Sequence, residues 1–208
     1  MSDRRGQILE AAARVMGERG YRATSVGDVI EAAGLAGKSH FYHYFGSKQE
    51  LGYAVVEHQF ARFADRGLAI LREPMIDPLD RLHLFIDSLV ALQVADGARS
   101  GSPFGRLAAE LASGDEGFRE RLAAVFARWA DAVRQLLDEL AGALVPDADT
   151  RRMSRFVVAT LEGGLMLARV SRDVGMLAGI ATDLKRYVAL HVRTEEAGRV
   201  ALAGGARG

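Results

Sequence analysis

The sequence predicts an all-α protein in two parts, three short N-terminal helices followed by a larger helical C-terminal domain. Three observations carry the prediction. Apolar residues recur at helical spacing in every periodic stretch, no strand pattern is present, and glycine, proline and capping residues separate the stretches. With 208 residues and 49% hydrophobic content, the chain supplies a sizeable core without staples.

Ile8, Leu9, Ala12, Val15 and Met16 mark the buried stripe of a first helix, and Gly20 just past Arg19 supplies its stop. Thr24 and Ser25 offer an N-cap for a second helix. Asp28 stands three residues after Ser25 in capping-box position, and Val29, Ile30 and Ala33 carry the apolar face on to Gly34. A third, very short helix is expected over about 37–44, with Phe41 and Phe45 at i, i+4 spacing and Gly46 closing it. Ser47 with Glu50 reads as another capping box. It opens a long fourth helix through Tyr53, Val56, Phe60, Phe63 and Leu68 that Pro74 and Pro78 break.

Beyond Pro78 the periodic stretches run at about 79–95, 104–111, 118–144, 150–174 and 176–192, with breaks at 96–103, 113–117 and 146–149. Residues 194–208 are small and Gly-rich and read as a disordered tail. The expected division is therefore 1–47 and 48–193, followed by the tail at 194–208, with the fourth helix linking the two domains.

The chain has no cysteine, which excludes disulfides, thiolate metal sites, Fe–S clusters and thiol-based redox sensing, and suits a reducing cytosol. Residues 1–7 are polar and lead into a charged amphipathic segment, with no signal or transit pattern. The longest weakly charged apolar stretch, 156–168, contains Glu162 and falls short of the roughly 20 residues that cross a bilayer. These features predict a cytoplasmic protein with no membrane partner, and no motif asks for a cofactor.

Formal net charge is +0, so the bulk signature of a nucleic-acid binder is missing and any such site must be local. One stretch qualifies. From Ala32 to Gln49 there is no acid, while Lys38, Lys48, His40 and His43 lie within it, so one face can approach phosphates unopposed. Three short helices before a long one, with a turn around Gly34 and Leu35, match helix-turn-helix geometry, in which the second helix of the pair enters the major groove. At about 100° per residue, Phe41 and Phe45 mark the buried side of the third helix, which places Ser39 and His43 nearly opposite, with His40 and Tyr42 flanking.

The run Gly34-Leu35-Ala36-Gly37-Lys38-Ser39-His40-Phe41-Tyr42-His43-Tyr44-Phe45-Gly46-Ser47-Lys48-Gln49-Glu50-Leu51 closely resembles the recognition segment of the TetR family of regulators. The likeness extends over about 4–55 and returns at Gly101-Ser102-Pro103-Phe104-Gly105, elsewhere holding only in helical layout. It implies a DNA-binding N-terminal domain in which Thr24, Ser25, Tyr42, Tyr44 and Lys48 meet phosphates, while Lys38, Ser39, His40 and His43 approach base edges. The chemistry agrees. Hydroxyls and amides at a helix start suit phosphate oxygens, and short polar side chains reach major-groove acceptors.

The same resemblance implies a homodimer on palindromic operator DNA, paired through the last two long helices, 150–174 and 176–192, with Gly163-Gly164 allowing close helix approach. A small-molecule effector is expected among the fourth to eighth helices, lined by some of Phe60, Phe63, His83, Phe85, Leu89, Phe104, Leu107, Phe126, Trp129, Glu162 and Met166. That lining suits an apolar or aromatic molecule, whose binding releases a repressor from its operator. Leu165 is expected on the dimer face. The alternative is a helical-bundle enzyme or metalloprotein. Asp80, His83 and Asp87 share one helix face, but no Glu-x-x-His pair recurs and no nucleophile motif or phosphate-cradling loop is present.

Overall fold

The computed structural model describes residues 4–193; the Gly-rich tail lies outside them. Among these residues nine α-helices follow one another: α1 (Arg4–Arg19), α2 (Val26–Ala32), α3 (Lys38–Tyr42), α4 (Lys48–Phe63), α5 (Pro78–Asp96), α6 (Pro103–Leu111), α7 (Glu116–Glu139), α8 (Thr150–Ser171) and α9 (Val174–Ala189). The only extended pairing among them is an isolated bridge between Leu144 and Val192.

Two apolar cores explain the division. Ile8, Leu9, Ala12 and Met16 of α1 close over Val29, Phe41, Phe45, Leu51 and Val55, which makes α1 to α3 and the start of α4 one unit. A second, larger core runs from Val56 and Phe60 of α4 through Phe85, Phe104 and Trp129 to Val188 of α9. α4 contributes side chains to both cores.

Local chemistry sets the helix ends. Ser25 caps α2 with both halves of the capping box, its hydroxyl accepting from the Asp28 amide at 3.1 Å and the Asp28 carboxylate accepting from the Ser25 amide at 2.7 Å. At α4 only half the expected box forms. Ser47 accepts from the Glu50 amide, whereas Glu50 reaches one residue further back, to the Gly46 amide at 2.8 Å. Aspartates cap α5, α7, α8 and α9, at Asp77, Asp115, Asp149 and Asp173.

Three boundaries differ from the expectation. The fourth helix leaves α geometry at Ala64, passes through a π turn (Ala64–Leu68) and ends in a 3-10 turn (Ile70–Arg72), a change of pitch that turns Leu68 and Leu71 into the core. The stretch expected to run to Leu144 stops at Glu139. There a 3-10 turn (Ala141–Ala143) lets Val145 and Ala143 exchange hydrogen bonds with His191 and Arg193. Between α8 and α9 only Arg172 and Asp173 intervene, with Arg172 left-handed at φ 55°.

Where the two cores meet, Phe118 stands edge-on to Tyr21 and Tyr53, at centroid distances of 5.0 and 4.7 Å. Gly52 is the floor of this seam. A β-carbon there would stand 2.6 Å from both the Phe118 and Tyr21 rings. Gly52→Ala is expected to lower stability by about 1–3 kcal/mol through overpacking, read from the urea midpoint of unfolding.

Candidate functional site

The turn between α2 and α3 is made by Gly34, left-handed at φ 61°, whose amide and that of Leu35 donate to the Glu31 and Ile30 carbonyls. Gly37 then caps α3. Phe41 and Phe45 are buried against α1, their rings 5.9 Å apart, so the opposite side of α3 must face outward. Lys38, Ser39, Tyr42 and His43 are exposed there, and their side chains form no hydrogen bond or ion pair with any described residue. His40 and Tyr44 are half-buried, with Tyr44 held between the rings of His40 (5.9 Å) and His43 (4.9 Å). The acid-free face foreseen around this helix is therefore gathered onto one short projection.

The flanking residues expected to meet phosphates are placed differently from one another. Ser25 is exposed at the start of α2. Thr24 needs a correction as a surface donor: it is 1% exposed and its hydroxyl donates to the Gly20 carbonyl at 2.7 Å, so its side chain secures the turn beneath Ser25. Lys48 lies over the Tyr21 ring at 4.5 Å and donates to the Arg22 carbonyl at 3.3 Å. An ammonium in a first helical turn opposes the helix dipole, and these contacts hold it there with two hydrogens to spare.

Residues that the sequence did not single out bind this domain to the rest. On α6, Glu110 accepts from the Tyr21 amide at 3.0 Å and from the Arg22 amide, and Arg106, one turn earlier, donates to the Gly17 and Glu18 carbonyls. Asp115, which caps α7, also accepts from Gln49 (2.6 Å) and Tyr53 (2.9 Å) of α4. The spacing of Arg106 and Glu110, four apart on a surface stripe, was a legible sign of paired function, but nothing in it named the distant partner.

At its other end α6 begins in the Gly101-Ser102-Pro103-Phe104-Gly105 stretch, where each residue has a task. Gln93 holds Gly101 by both its amide and carbonyl, Ser102 caps the helix, and Pro103 opens it. The Ser102 hydroxyl also donates to the Glu162 carboxylate of α8 at 2.7 Å, and Gly105 leaves the room that the other Glu162 oxygen occupies.

The eleven residues expected around an effector do not line one cavity. Phe126 and Glu162 line a groove of about 610 Å³ between α7 and α8, together with Arg134, Ser154 and Val158. Phe63 and Leu107 border a separate cleft between the two domains. Phe60, Phe85, Leu89, Phe104 and Trp129 are core, packed ring on ring, with Phe63 4.9 Å from Trp129. His83 stands half-buried on α5, held below its ordinary value by burial and by Lys185. Met166 points outward at 60% exposure, because it falls on the opposite side of α8 from the buried stripe of Leu161, Leu165 and Ala168. Leu165, expected on a dimer face, is buried against Ala98, Ala168 and Leu177. Gly164 does permit close helix approach, but toward Leu177 and Ile180 of its own chain, while Gly163 faces open space.

Within that interior Trp129 Nε1 and His83 Nε2 are buried without a hydrogen-bond partner among the described residues. No group of three or more His, Asp or Glu among the described residues is placed to hold a metal, and Asp87, which shares a face of α5 with Asp80 and His83, is engaged by Lys185.

A polar five-residue helix projected by a tight turn, with its own core and a separate helical body behind it, defines a helix-turn-helix DNA-binding regulator. Residues 8–55 match the bacterial regulatory proteins of the tetR family, and 78–183 match the C-terminal domain of the LmrA/YxaF-like transcriptional regulators. An uncharacterised HTH-type transcriptional regulator of Mycobacterium tuberculosis is 31% identical over 196 residues, which is 90% of this chain and 95% of that protein. The HTH-type transcriptional repressor DhaR of Mycobacterium sp. strain GP1 is 24% identical over 171 residues, 81% and 84% of the two chains. The crystal structure of regulatory protein TetR from Rhodobacter sphaeroides is similar with a TM-score of 0.80 at 26% identity, over 87% of this chain and 96% of that one. The chain belongs to the TetR family. It is a transcriptional regulator, as the family and these relatives are, and not an enzyme.

Glu162 carries the one strongly displaced carboxyl at the α7–α8 groove. Burial raises it from 4.5 to about 7, opposed by the Ser102 hydrogen bond. Between those values the folded chain keeps a proton that the unfolded chain releases, so stability falls as pH rises through the window. Glu162→Gln should match the parent below pH 4.5 and exceed it above pH 7 by at most roughly 3 kcal/mol, measured by thermal unfolding across that range.

Proposed function

We propose that the chain is a ligand-responsive repressor that binds a palindromic operator as a homodimer in the cytoplasm and leaves it when a small apolar or aromatic molecule binds the C-terminal domain. The observation that carries the DNA half is the unpartnered polar face of α3, set by the burial of Phe41 and Phe45. On that face Lys38, Ser39, His40 and His43 meet base edges, while Tyr42 and Tyr44 beside them, Ser25 at the start of α2 and Lys48 at the start of α4 meet phosphates. Repression as the sign of control is supported by DhaR, whose name carries it. No helix among the described residues is long and apolar enough to cross a membrane, which is consistent with a cytoplasmic place of action.

Pairing through α8 and α9 is supported by exposed apolar side chains. Phe156, Met166, Leu167 and Val170 are 45–80% exposed, and with Gly163 they fall within an arc of about 100° on α8 at the helical repeat. Such a stripe on a surface helix is an interface signature. Operator binding requires a two-fold axis there to set the two recognition helices to the roughly 34–36 Å spacing of successive major grooves.

The effector reading rests on α6. Its N-cap Ser102 is bonded to Glu162 at the α7–α8 groove, and its Arg106 and Glu110 grip the segment that leads into α2. An occupant that shifts Glu162 moves the start of a nine-residue helix whose other end is fixed to the DNA-binding domain. The shift in operator affinity is bounded by the ligand's differential affinity for the two positions.

Selection of bound fragments from random duplex DNA tests the reading; a protein with no sequence preference at low ionic strength overturns it. Lys48→Ala should weaken binding to all sequences and reduce the salt slope by about 1, whereas His43→Ala should relax preference at particular base pairs. For the dimer, Val170→Asp should yield monomers by sedimentation, and an unchanged dimer would place the interface elsewhere.

A further inference from the structure

The cleft between the two domains, about 1350 Å³, is bounded by the outer face of α1, the distal half of α4, the loop before α6 and the end of α8. Its charge is lopsided. In a chain with 27 basic and 27 acidic residues, seven arginines and two glutamates line this one space. Two of the arginines are occupied, Arg62 with Glu10 and Arg106 with the Gly17 and Glu18 carbonyls. The side chains of the other five, Arg14, Arg66, Arg99, Arg169 and Arg172, have no hydrogen bond or ion pair to any described residue.

Three features distinguish this from a solvated basic surface. Of the two acids, Glu10 is already shared by Arg62 and His58, which leaves the Glu18 carboxylate against five remaining arginines. Arg169 is partly buried, its stem packed on Gly101, and burial together with Arg106 and Arg172 holds it below its ordinary value, so like charges are crowded without compensation. Arg172 takes the left-handed conformation that residues with a β-carbon adopt rarely, at the cap of α8. Phe63, Leu92 and Leu107 add an apolar wall beside the arginines.

From these residues we infer that the interdomain cleft is a second ligand site, distinct from the α7–α8 groove, for a small organic molecule bearing a di- or triphosphate. Guanidinium forks match phosphate oxygens in pairs, and several phosphates are needed to engage arginines spread over α1, the π turn after α4, the loop before α6 and the end of α8. The volume exceeds that of an inorganic ion and accommodates an organic body against Phe63 and Leu107. Duplex DNA is the rival polyanion. No residue of α3 borders the cleft, and α2 contributes only Ala32, so the groove-reading surface is elsewhere. A ligand here touches α1 and α8 together and favours one relative placement of the domains.

The test uses the full chain without DNA. Sodium tripolyphosphate and adenosine triphosphate are titrated calorimetrically at fixed ionic strength, with sulfate as the control. Saturable binding of one molecule per chain is expected for both, with none for sulfate, and tighter binding of the nucleotide identifies an organic body as part of the ligand. Arg169→Gln combined with Arg172→Gly, the glycine suiting the left-handed backbone, should weaken binding about tenfold or more. Arg14→Gln with Arg66→Gln on the opposite wall should do the same, and serves if the first pair fails to fold. Absence of saturable binding, or binding that both pairs leave unchanged, overturns the inference. So does binding lost in Lys38→Gln, which would assign the phosphates to the DNA-reading face. Failure of the arginine-pair arms leaves the reading of α3 as the operator-binding helix untouched.

Discussion

The grip of α6 on the segment between α1 and α2 is the constraint on which the rest of the molecule turns. That segment must end one helix and begin another within a few residues, which leaves the amides of Tyr21 and Arg22 without helical partners; the Glu110 carboxylate takes both. Arg106 meanwhile takes the free carbonyls of Gly17 and Glu18 at the end of α1. One side-chain pair, a single turn apart, thus satisfies donors and acceptors on both sides of the same bend. The DNA-binding unit is positioned by hydrogen bonds of fixed direction, which transmit a displacement where a purely apolar seam would let it slide. Gly20, at φ 93°, sits against these two side chains, so a larger residue there would meet both backbone strain and the Glu110 carboxylate.

Much of this architecture was legible because its causes are local. Capping chemistry at Ser25, the Phe41–Phe45 spacing and the glycines around the turn each act within five residues, and together they place α2 and α3 correctly. The resemblance of 34–51 to one family supplied the functional reading. What the chain concealed is long-range. Thr24 and Ser25 look equivalent as hydroxyls, but only the fold decides that one lies beneath the other with its proton on Gly20. Periodicity marks Phe60, Phe85, Phe104 and Trp129 as inward-facing, yet a ring turned toward a cavity and a ring turned toward another ring have the same spacing. On α8 the same ambiguity exchanged Leu165 and Met166, neighbours only about 100° apart around the helix, between core and surface.

A net charge of zero in a DNA-binding chain follows from where the acids are used. Asp28, Asp77, Asp115, Asp149 and Asp173 sit at helix starts, accepting amide protons at the positive ends of helix dipoles, where a carboxylate is most stabilised. Glu10 and Glu110 are committed to contacts between elements. Carboxylates tied down in this way are fixed in position and cannot swing to neutralise a distant arginine or lysine. Some cations are tied down in the same way, Arg106 and Arg62 among them, but Lys38 on α3 and five arginines along the interdomain cleft are left without a partner among the described residues. Within about 8–10 Å, the screening distance at physiological salt, a phosphate responds to that local imbalance and is nearly blind to the total. The formal sum of charges therefore says little about which surfaces attract an anion.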